Sequence, residues 1–149
     1  MKTLILSAAI IFALSFGANA TIADPVNQKV MKTFNMLFED ADNVSWTNAG
    51  DNYEAYFTSD NVKTRALLDA KGHLVQTVRY YKENELPANI LYNLKKDYKG
   101  QEVWGITEVS NSYGVHYRIV LRNDKSYTHL NVNAAGESEL VKKFKRGDK

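Results

Sequence analysis

Apolar residues along this chain follow two periods, one helical and one alternating. A spacing of four residues places side chains on one face of an α-helix. It occurs in two triplets, Val30, Phe34 and Phe38, and Ile90, Leu94 and Tyr98. The pattern predicts helices over residues 27–38 and 87–98. Pro87 suits a first helical turn because it has no N–H group and a fixed φ.

Short alternating stretches, separated by turn residues, follow each predicted helix. Turn-forming clusters occur at residues 48–52, 59–61, 69–72, 110–112, 123–126 and 134–136. They divide each half of the chain into four strands. The predicted fold is therefore α+β, a helix plus four antiparallel strands (αββββ) used twice. Both helices are expected on one face of a continuous curved sheet, which leaves the other face open.

Matching segments in the two halves predict an internal repeat. The offset of sixty that relates the helices also relates two strand segments, and an offset of sixty-four relates two later turns. The matches are Tyr53-x-Ala55-x-Phe57 with Tyr113-x-Val115-x-Tyr117, and residues 68–72 with 132–136. One hairpin of the second copy is thus expected to be about four residues longer. The copies span about 26–81 and 84–146 within a single domain, residues 21–149.

Trp46 is expected to be a structural residue. Strand alternation places it with Val44 on one face, opposite Tyr53, Ala55 and Phe57 on the facing strand. These side chains would pack beneath the first helix. An exposed contact with a ligand is the alternative.

The first twenty residues have the pattern of a secretory signal peptide. Lys2 precedes an apolar run at residues 4–16, and Ala18-Asn19-Ala20 is a small-x-small cleavage site. Cleavage is expected after Ala20, with a periplasmic or secreted product. No later stretch has the length and apolar character of a membrane span, so no membrane insertion is expected after cleavage.

Composition narrows the classes of partner. The chain has no cysteine, so its fold has no disulfide. The formal net charge of +2, which includes Lys2, gives no electrostatic case for nucleic acid as a partner.

The order of these features resembles the PepSY-like family. The residues that carry the resemblance are Asn43-Val44-x-Trp46 after an acidic turn, Tyr53-x-Ala55-x-Phe57, Asp69-x-x-Gly72, and Leu86-Pro87 opening the second helix. The family consists of secreted bacterial proteins compared in fold to the beta-lactamase-inhibitory protein. The resemblance covers about residues 26–144, implies that fold and brings no catalytic residues. Ile106 stands where the second copy would repeat Trp46, and the inhibitor's disulfides are absent.

The residues needed for catalysis do not form a recognisable set. The chain has no cysteine nucleophile, no Gly-x-Ser-x-Gly elbow and no glycine-rich phosphate loop. We therefore predict that the protein is not an enzyme and uses no cofactor. His116 and His129 are expected on the same sheet face, but a protein metal site usually needs three or four ligands, so no metal site is predicted.

Alternation also predicts which residues point away from the helices. The set is Glu54, Tyr56, Lys63, Arg65, Leu67, Arg79 and Tyr81 in the first half, and His116, Arg118, Val120, Tyr127, His129 and Asn131 in the second. Tyrosine and arginine are enriched at recognition surfaces, although strand propensity alone also favours aromatic residues.

We predict a non-enzymatic binding module that recognises a protein or peptide in the periplasm or outside the cell, with hydrolase inhibition as one form of that role. The predicted contact residues are Tyr56, Arg65, Arg118, Tyr127, His116 and His129. A protein that binds a small ligand or metal on the same face is the alternative. The sequence identifies neither the partner nor the oligomeric state.

Overall fold

The computed structural model describes residues 25–147 and shows two helices, each followed by four strands. Helix α1 (Gln28–Leu37) precedes β1 (Asp42–Ala49), β2 (Asn52–Ser59), β3 (Val62–Asp69) and β4 (Leu74–Tyr81). A short 3-10 helix (Glu83–Glu85) leads to α2 (Ala88–Asp97), β5 (Glu102–Asn111), β6 (Gly114–Arg122), β7 (Ser126–Asn133) and β8 (Ser138–Lys145). The predicted α+β class is confirmed. The predicted signal peptide lies outside the described residues.

The strands form one open sheet in chain order, from β1 to β8. All seven neighbouring pairs are antiparallel. The two halves of the chain join where β4 pairs with β5, for example at Tyr81 and Ile106. Among residues 25–147, no helix has the length and apolar character needed to cross a membrane.

Both helices pack on the same side of the sheet, called here the helix face. Val30 and Phe34 of α1 are buried against β2 and β3, while α2 is buried against β5, β6 and β7. Cross-strand pairing places Ala66, Thr77 and Ser110 on one face, and that face carries both clusters. The opposite side, which no described helix covers, is called the open face.

Two hairpin turns dock against the helices through glycine. A Cβ on Gly72 would lie 2.8 Å from the backbone oxygen of Lys29, and one on Gly136 would lie 2.7 Å from Nδ2 of Asn93. Both glycines have φ of +87°, a left-handed conformation that other residues adopt at a cost. The turns after β3 and β7 therefore approach α1 and α2 more closely than any larger residue permits.

Trp46 packs beneath α1, as the alternation predicts. It pairs with Ala55 across β1 and β2, and its ring meets Phe34 edge-on at 5.0 Å. It is half-buried, because β1 is the first strand of the sheet. Val44, near the start of this edge strand, is more exposed than Trp46. A bulge between Asp42 and Ser45 interrupts the pairing with β2 there.

The prediction that Arg79 and Tyr81 lie on the open face is wrong. Arg79 pairs with Thr64 of the helix face, and Tyr81 is 8% exposed within the core. One extra residue in β4, between Leu74 and Gln76, forms a bulge opposite Leu67 and Leu68 and shifts the register of β4 against β3. Such a shift of one residue moves every side chain of a strand to the other face. Tyr80 consequently occupies the open face.

The match between Tyr53 and Tyr113 is also wrong. Trp46 pairs with Ala55, whereas Ile106 pairs with Ile119, so the positions on β2 and β6 correspond at an offset of sixty-four. The additional residues therefore lie in the hairpin between β5 and β6. Tyr113 is in the turn of that hairpin and is 97% exposed, instead of facing the helices.

Candidate functional site

Antiparallel pairing arranges the open face in rows that cross the strands. One row contains Ser45, Tyr56, Arg65, Val78, Val109, His116 and Asn133. The next contains Thr58, Lys63, Tyr80, Thr107, Arg118, Asn131 and Glu139. A third contains Gly105, Val120, His129 and Lys142, and a fourth Glu102, Arg122, Tyr127 and Phe144. The six predicted contact residues all belong to these rows.

Tyr56 and Arg65 are held by a shared carboxylate. The Tyr56 hydroxyl donates to Oε2 of Glu54 at 2.5 Å, and Nη2 of Arg65 donates to Oε1 of Glu54 at 2.6 Å. The hydrogen bond to Glu54 raises the pKa of Tyr56. Nη1 of Arg65 donates to the Tyr80 hydroxyl at 3.3 Å. This bond, then that to Glu54, raises the pKa of Arg65. The network fixes the orientation of three side chains of the open face, Tyr56, Arg65 and Tyr80.

An exposed tryptophan in the second half was not among the predicted contact residues. Trp104 lies in a bulge between Val103 and Gly105 and is 45% exposed. The guanidinium of Arg122 lies 3.6 Å from the centre of its ring. The sequence carries a signal for this bulge, because the helix-face residues Val103 and Ile106 are three apart, which breaks strand alternation. Bulges redirect side chains, and the side chain at this bulge is the exposed Trp104.

Tyr127 continues this aromatic and basic surface. Its ring lies 6.5 Å from that of Trp104, and the guanidinium of Arg146 is 5.7 Å from its centre. Beside it, His129 meets the ring of Phe144 edge-on at 5.0 Å. Together these side chains form one aromatic and basic surface, made of Trp104, Arg122, Tyr127, His129, Phe144 and Arg146.

The two predicted histidines share the open face but do not lie together. His129 pairs with Val120, which is four residues along β6 from His116. That separation is about 13 Å along the strand. Residues 25–147 contain no group of three or more His, Cys, Asp or Glu side chains placed to hold a metal ion. The geometry of these histidines suits surface contacts.

Adjoining depressions on the open face form a trough, which reaches the turn after β2 and the segment after β4. Its central cavity has a volume of about 750 Å³ and is lined by Lys63, Tyr80, Lys82, Gly105, Arg118 and His129, among others. A neighbouring depression shares Lys63 and Tyr80 and includes Tyr56 and Arg65. Another, toward β8, shares Arg118 and His129. The trough thus connects predicted contact residues from both halves of the chain.

Comparison with known proteins gives a match at the level of structure. No family model matches this chain, and no curated protein does. A BLIP-like protein from Bacteroides fragilis is similar, with a TM-score of 0.63 and 18% sequence identity over 83% of this chain and 90% of that one. A DUF2874 family protein from Bacteroides ovatus has a TM-score of 0.63 and 19% identity over 83% and 89%.

A protein provisionally described as periplasmic, from Bacteroides eggerthii, has a TM-score of 0.61 at 14% identity, over 81% of this chain and 89% of that one. At such identities these likenesses establish a shared fold and leave function to be argued from the site. The open eight-stranded sheet with two helices on one face is therefore a BLIP-like fold.

Proposed function

We propose that this protein is a non-enzymatic periplasmic or secreted module that binds a protein or peptide through its open face. The observation that carries the proposal is the trough on that face, bordered by side chains from both halves. An antiparallel sheet is stable with one face packed on helices, and its other face can be solvated or covered by a partner. A partner laid across the rows would contact Tyr56, Arg65, Arg118 and Tyr127 together.

The chemistry of the face supports recognition of a protein surface. Tyrosine, tryptophan and arginine are the residues that most often dominate binding energy at protein interfaces. Glu54 already holds Tyr56 and Arg65 in place, so binding would lose little of their side-chain freedom. Trp104, with Arg122 stacked on its ring, adds a contact to the predicted set.

The inhibitor-like part of the proposal has support from the fold. One neighbour is described as BLIP-like, and the family resemblance of the sequence leads to the same inhibitor. We therefore propose that the partner is a secreted or periplasmic hydrolase, which this protein inhibits. We also propose that the chain belongs to a PepSY-like family. The signal-peptide pattern and a neighbour provisionally described as periplasmic support the location.

We further propose that the chain is a tandem repeat of one αββββ unit. The two helices have ten residues each and begin sixty positions apart. Each ends with the same bond, from the N–H of Phe38 to the oxygen of Phe34 and from that of Tyr98 to the oxygen of Leu94. The glycines docked against the helices are sixty-four positions apart, so the inserted residues lie between these two features.

The experiment begins with the mature chain, residues 21–149, as bait for proteins of the native periplasm, identified by mass spectrometry. Affinity for the captured partner is then measured by calorimetry for wild type and for a variant with Tyr56, Arg65, Arg118 and Tyr127 changed to alanine. We expect the best-placed of these residues to contribute about 2 kcal/mol or more each.

The matched control changes four exposed residues of the helices to alanine: Lys32, Met36, Tyr92 and Lys96. Circular dichroism first establishes that both variants are folded. The control is expected to bind as wild type does. Unchanged affinity in the open-face variant, or an equal loss in the control, would contradict recognition through the open face.

A further inference from the structure

We infer that the central cavity of the trough is a carboxylate site that takes an acidic segment, rich in Asp or Glu, of the protein partner. This inference rests on the proposed function and names the chemistry of the partner. The cavity lies where β3, β4, β5, β6 and β7 adjoin, at the residues Lys63, Lys82, Arg118 and His129.

The basic residues around this cavity differ from Arg65 and Arg122 of the open face, because they have no carboxylate partner among residues 25–147. Arg65 is paired with Glu54, and Arg122 is paired with Glu102. Lys63, Lys82 and Arg118 form no ion pair within the described residues. Nζ of Lys82 donates to the backbone oxygen of Trp104 at 3.2 Å, which leaves its charge without an acidic partner in the part of the chain that the structure describes. Charges that lack such a partner and line one concavity attract an opposite charge more strongly than they would on a convex surface.

Gly105 gives the cavity its depth. It lies in the row of Val120 and His129 on the open face, and a Cβ built on it would meet nothing within 4 Å. A larger residue here would fill the space without backbone strain, because the φ of Gly105 is outside the left-handed region. The bulge that exposes Trp104 therefore also leaves open space beside the basic residues.

The arrangement of charges gives the site a direction. Asp60 and Glu85 also line the cavity, and both lie on connecting segments, whereas Lys63 and Arg118 lie on strands. Carboxylates of a bound segment would be repelled by these two acidic residues and attracted toward the basic residues of the lining. His129 offers a ring N–H to the same group.

The size of the cavity favours a chain segment over a single ion. A water molecule occupies about 30 Å³ of liquid volume, so an anion the size of a few waters leaves most of the 750 Å³ empty. The neighbouring depressions share lining residues with the cavity. An extended peptide can cross all three, which an isolated anion cannot.

The test uses fluorescein-labelled octaglutamate and the mature protein, with binding followed by fluorescence anisotropy. Binding is expected at low ionic strength, with weakening as salt is added, since salt screens such contacts. Two variants should each weaken binding by about tenfold or more, a change of about 1.4 kcal/mol. One is the double charge reversal Lys63→Glu with Lys82→Glu, and the other is Gly105→Leu, which fills the cavity without changing charge.

The control is Lys32→Glu with Lys96→Glu, which makes the same change in net charge on the helices. Its affinity should stay within about threefold of wild type, because the substituted lysines lie on the far side of the sheet. Circular dichroism establishes the folding of every variant. Absent binding to the wild type, equal losses in the control, or full binding by Gly105→Leu would overturn the inference.

A competition experiment separates a segment from a free anion. Inorganic phosphate that displaces octaglutamate as well as unlabelled octaglutamate does would indicate a single-anion site and overturn the inference. None of the substituted residues belongs to the four alanine changes that test the proposed function. If octaglutamate fails while the captured partner still requires those four residues, this inference falls and the proposed function stands. If octaglutamate binds as expected while the captured partner binds the four-alanine variant as tightly as wild type, the proposed function is wrong.

Discussion

Glu108 is a carboxylate on the helix face, between the two hydrophobic clusters. The hydroxyl of Tyr81 donates to its Oε2 at 2.6 Å, and Nη1 of Arg79 lies 3.6 Å from its Oε1. Burial, followed by the bond to Glu108, raises the pKa of Tyr81 well above its ordinary 10.0. Burial also raises the pKa of Tyr117. The polar groups of Arg79, Tyr81 and Glu108 are tolerated here because they satisfy one another.

Tyr81→Phe is expected to reduce the dependence of stability on alkaline pH. The folded state keeps the Tyr81 proton at pH values where the unfolded chain releases it, so this stabilisation is complete below about pH 10 and lost as pH rises further. The variant should lose about 1 kcal/mol at neutral pH, the usual contribution of one hydrogen bond. From about pH 9 to pH 11 its free energy of unfolding should fall less steeply than that of wild type.

Urea denaturation at each pH measures both effects on Tyr81→Phe. Tyr92→Phe is the control, since Tyr92 is exposed on α2, and it should change neither the stability nor the slope. Equal slopes in wild type and Tyr81→Phe would contradict the assignment of this proton to the core.

Trp46 and Tyr56 lie on opposite faces of neighbouring strands and should differ in their contribution to stability. Trp46→Ala removes the edge-on contact with Phe34 and should cost about 3 kcal/mol, the lower end for a core aromatic, because the ring is half-buried. Tyr56→Ala removes a surface contact and should cost about 1 kcal/mol or less. Chemical denaturation that finds Tyr56→Ala the more damaging would show the facing of these strands to be inverted.

At the scale of elements, docking of a hairpin turn against a helix fixes each helix on the sheet. Asn27 Nδ2 donates to the oxygen of Ala70 at 3.1 Å, next to the contact of Gly72 with Lys29. In the second half of the chain, Asn89 Nδ2 donates to the oxygen of Ala134 at 3.3 Å, close to Gly136. Because a short helix has little stability of its own, these contacts help to hold each helix in place on the sheet.

Gly72→Ala should be more destabilising than Gly50→Ala. Both glycines have positive φ, so alanine at either costs roughly 1–2 kcal/mol of backbone strain. Only at Gly72 would the new Cβ also meet backbone, 2.8 Å from the oxygen of Lys29. Thermal and urea unfolding should therefore show a larger loss for Gly72→Ala. Equal losses would mean that the turn can move away from α1 at no cost.

At the scale of the whole molecule, the halves of the chain share one of the two hydrophobic clusters. Val62 and Tyr81 of the first half are buried with Ile90, Ile106 and other residues of the second. The pairing of β4 with β5 makes the sheet continuous across the same boundary. Separating the halves would therefore divide this cluster and leave the first half with only the smaller cluster beneath α1.

Fragments 25–82 and 83–147, produced separately, should each fail to unfold cooperatively. Each is at the size where a single small core gives marginal stability, and separation exposes a strand edge. Circular dichroism during urea titration measures this, and mixing the fragments should restore a cooperative transition. A cooperative transition in either fragment alone would show that the halves are independent folding units.

Much of the candidate site could be read from the sequence. Alternation correctly placed Tyr56, Arg65, Arg118 and Tyr127 on one face, because each lies on a strand segment without a bulge between it and the core residues that define the helix face. Periodicity likewise predicted both helices to within one residue at each end. These features depend on local spacing, which the chain itself determines.

Where a bulge breaks the register of a strand, only the tertiary structure decided which face of the sheet each side chain occupies. The bulge in β4 places Tyr81 in the core and Tyr80 on the open face, and the bulge in β5 exposes Trp104. A bulge adds one residue to one strand only, and whether the sheet accepts it depends on the partner strand and on the helix packed above. The sequence thus determined which elements form, and the packing between elements decided which side chains lie on the open face, because a shift of one residue in register reverses the faces of a strand.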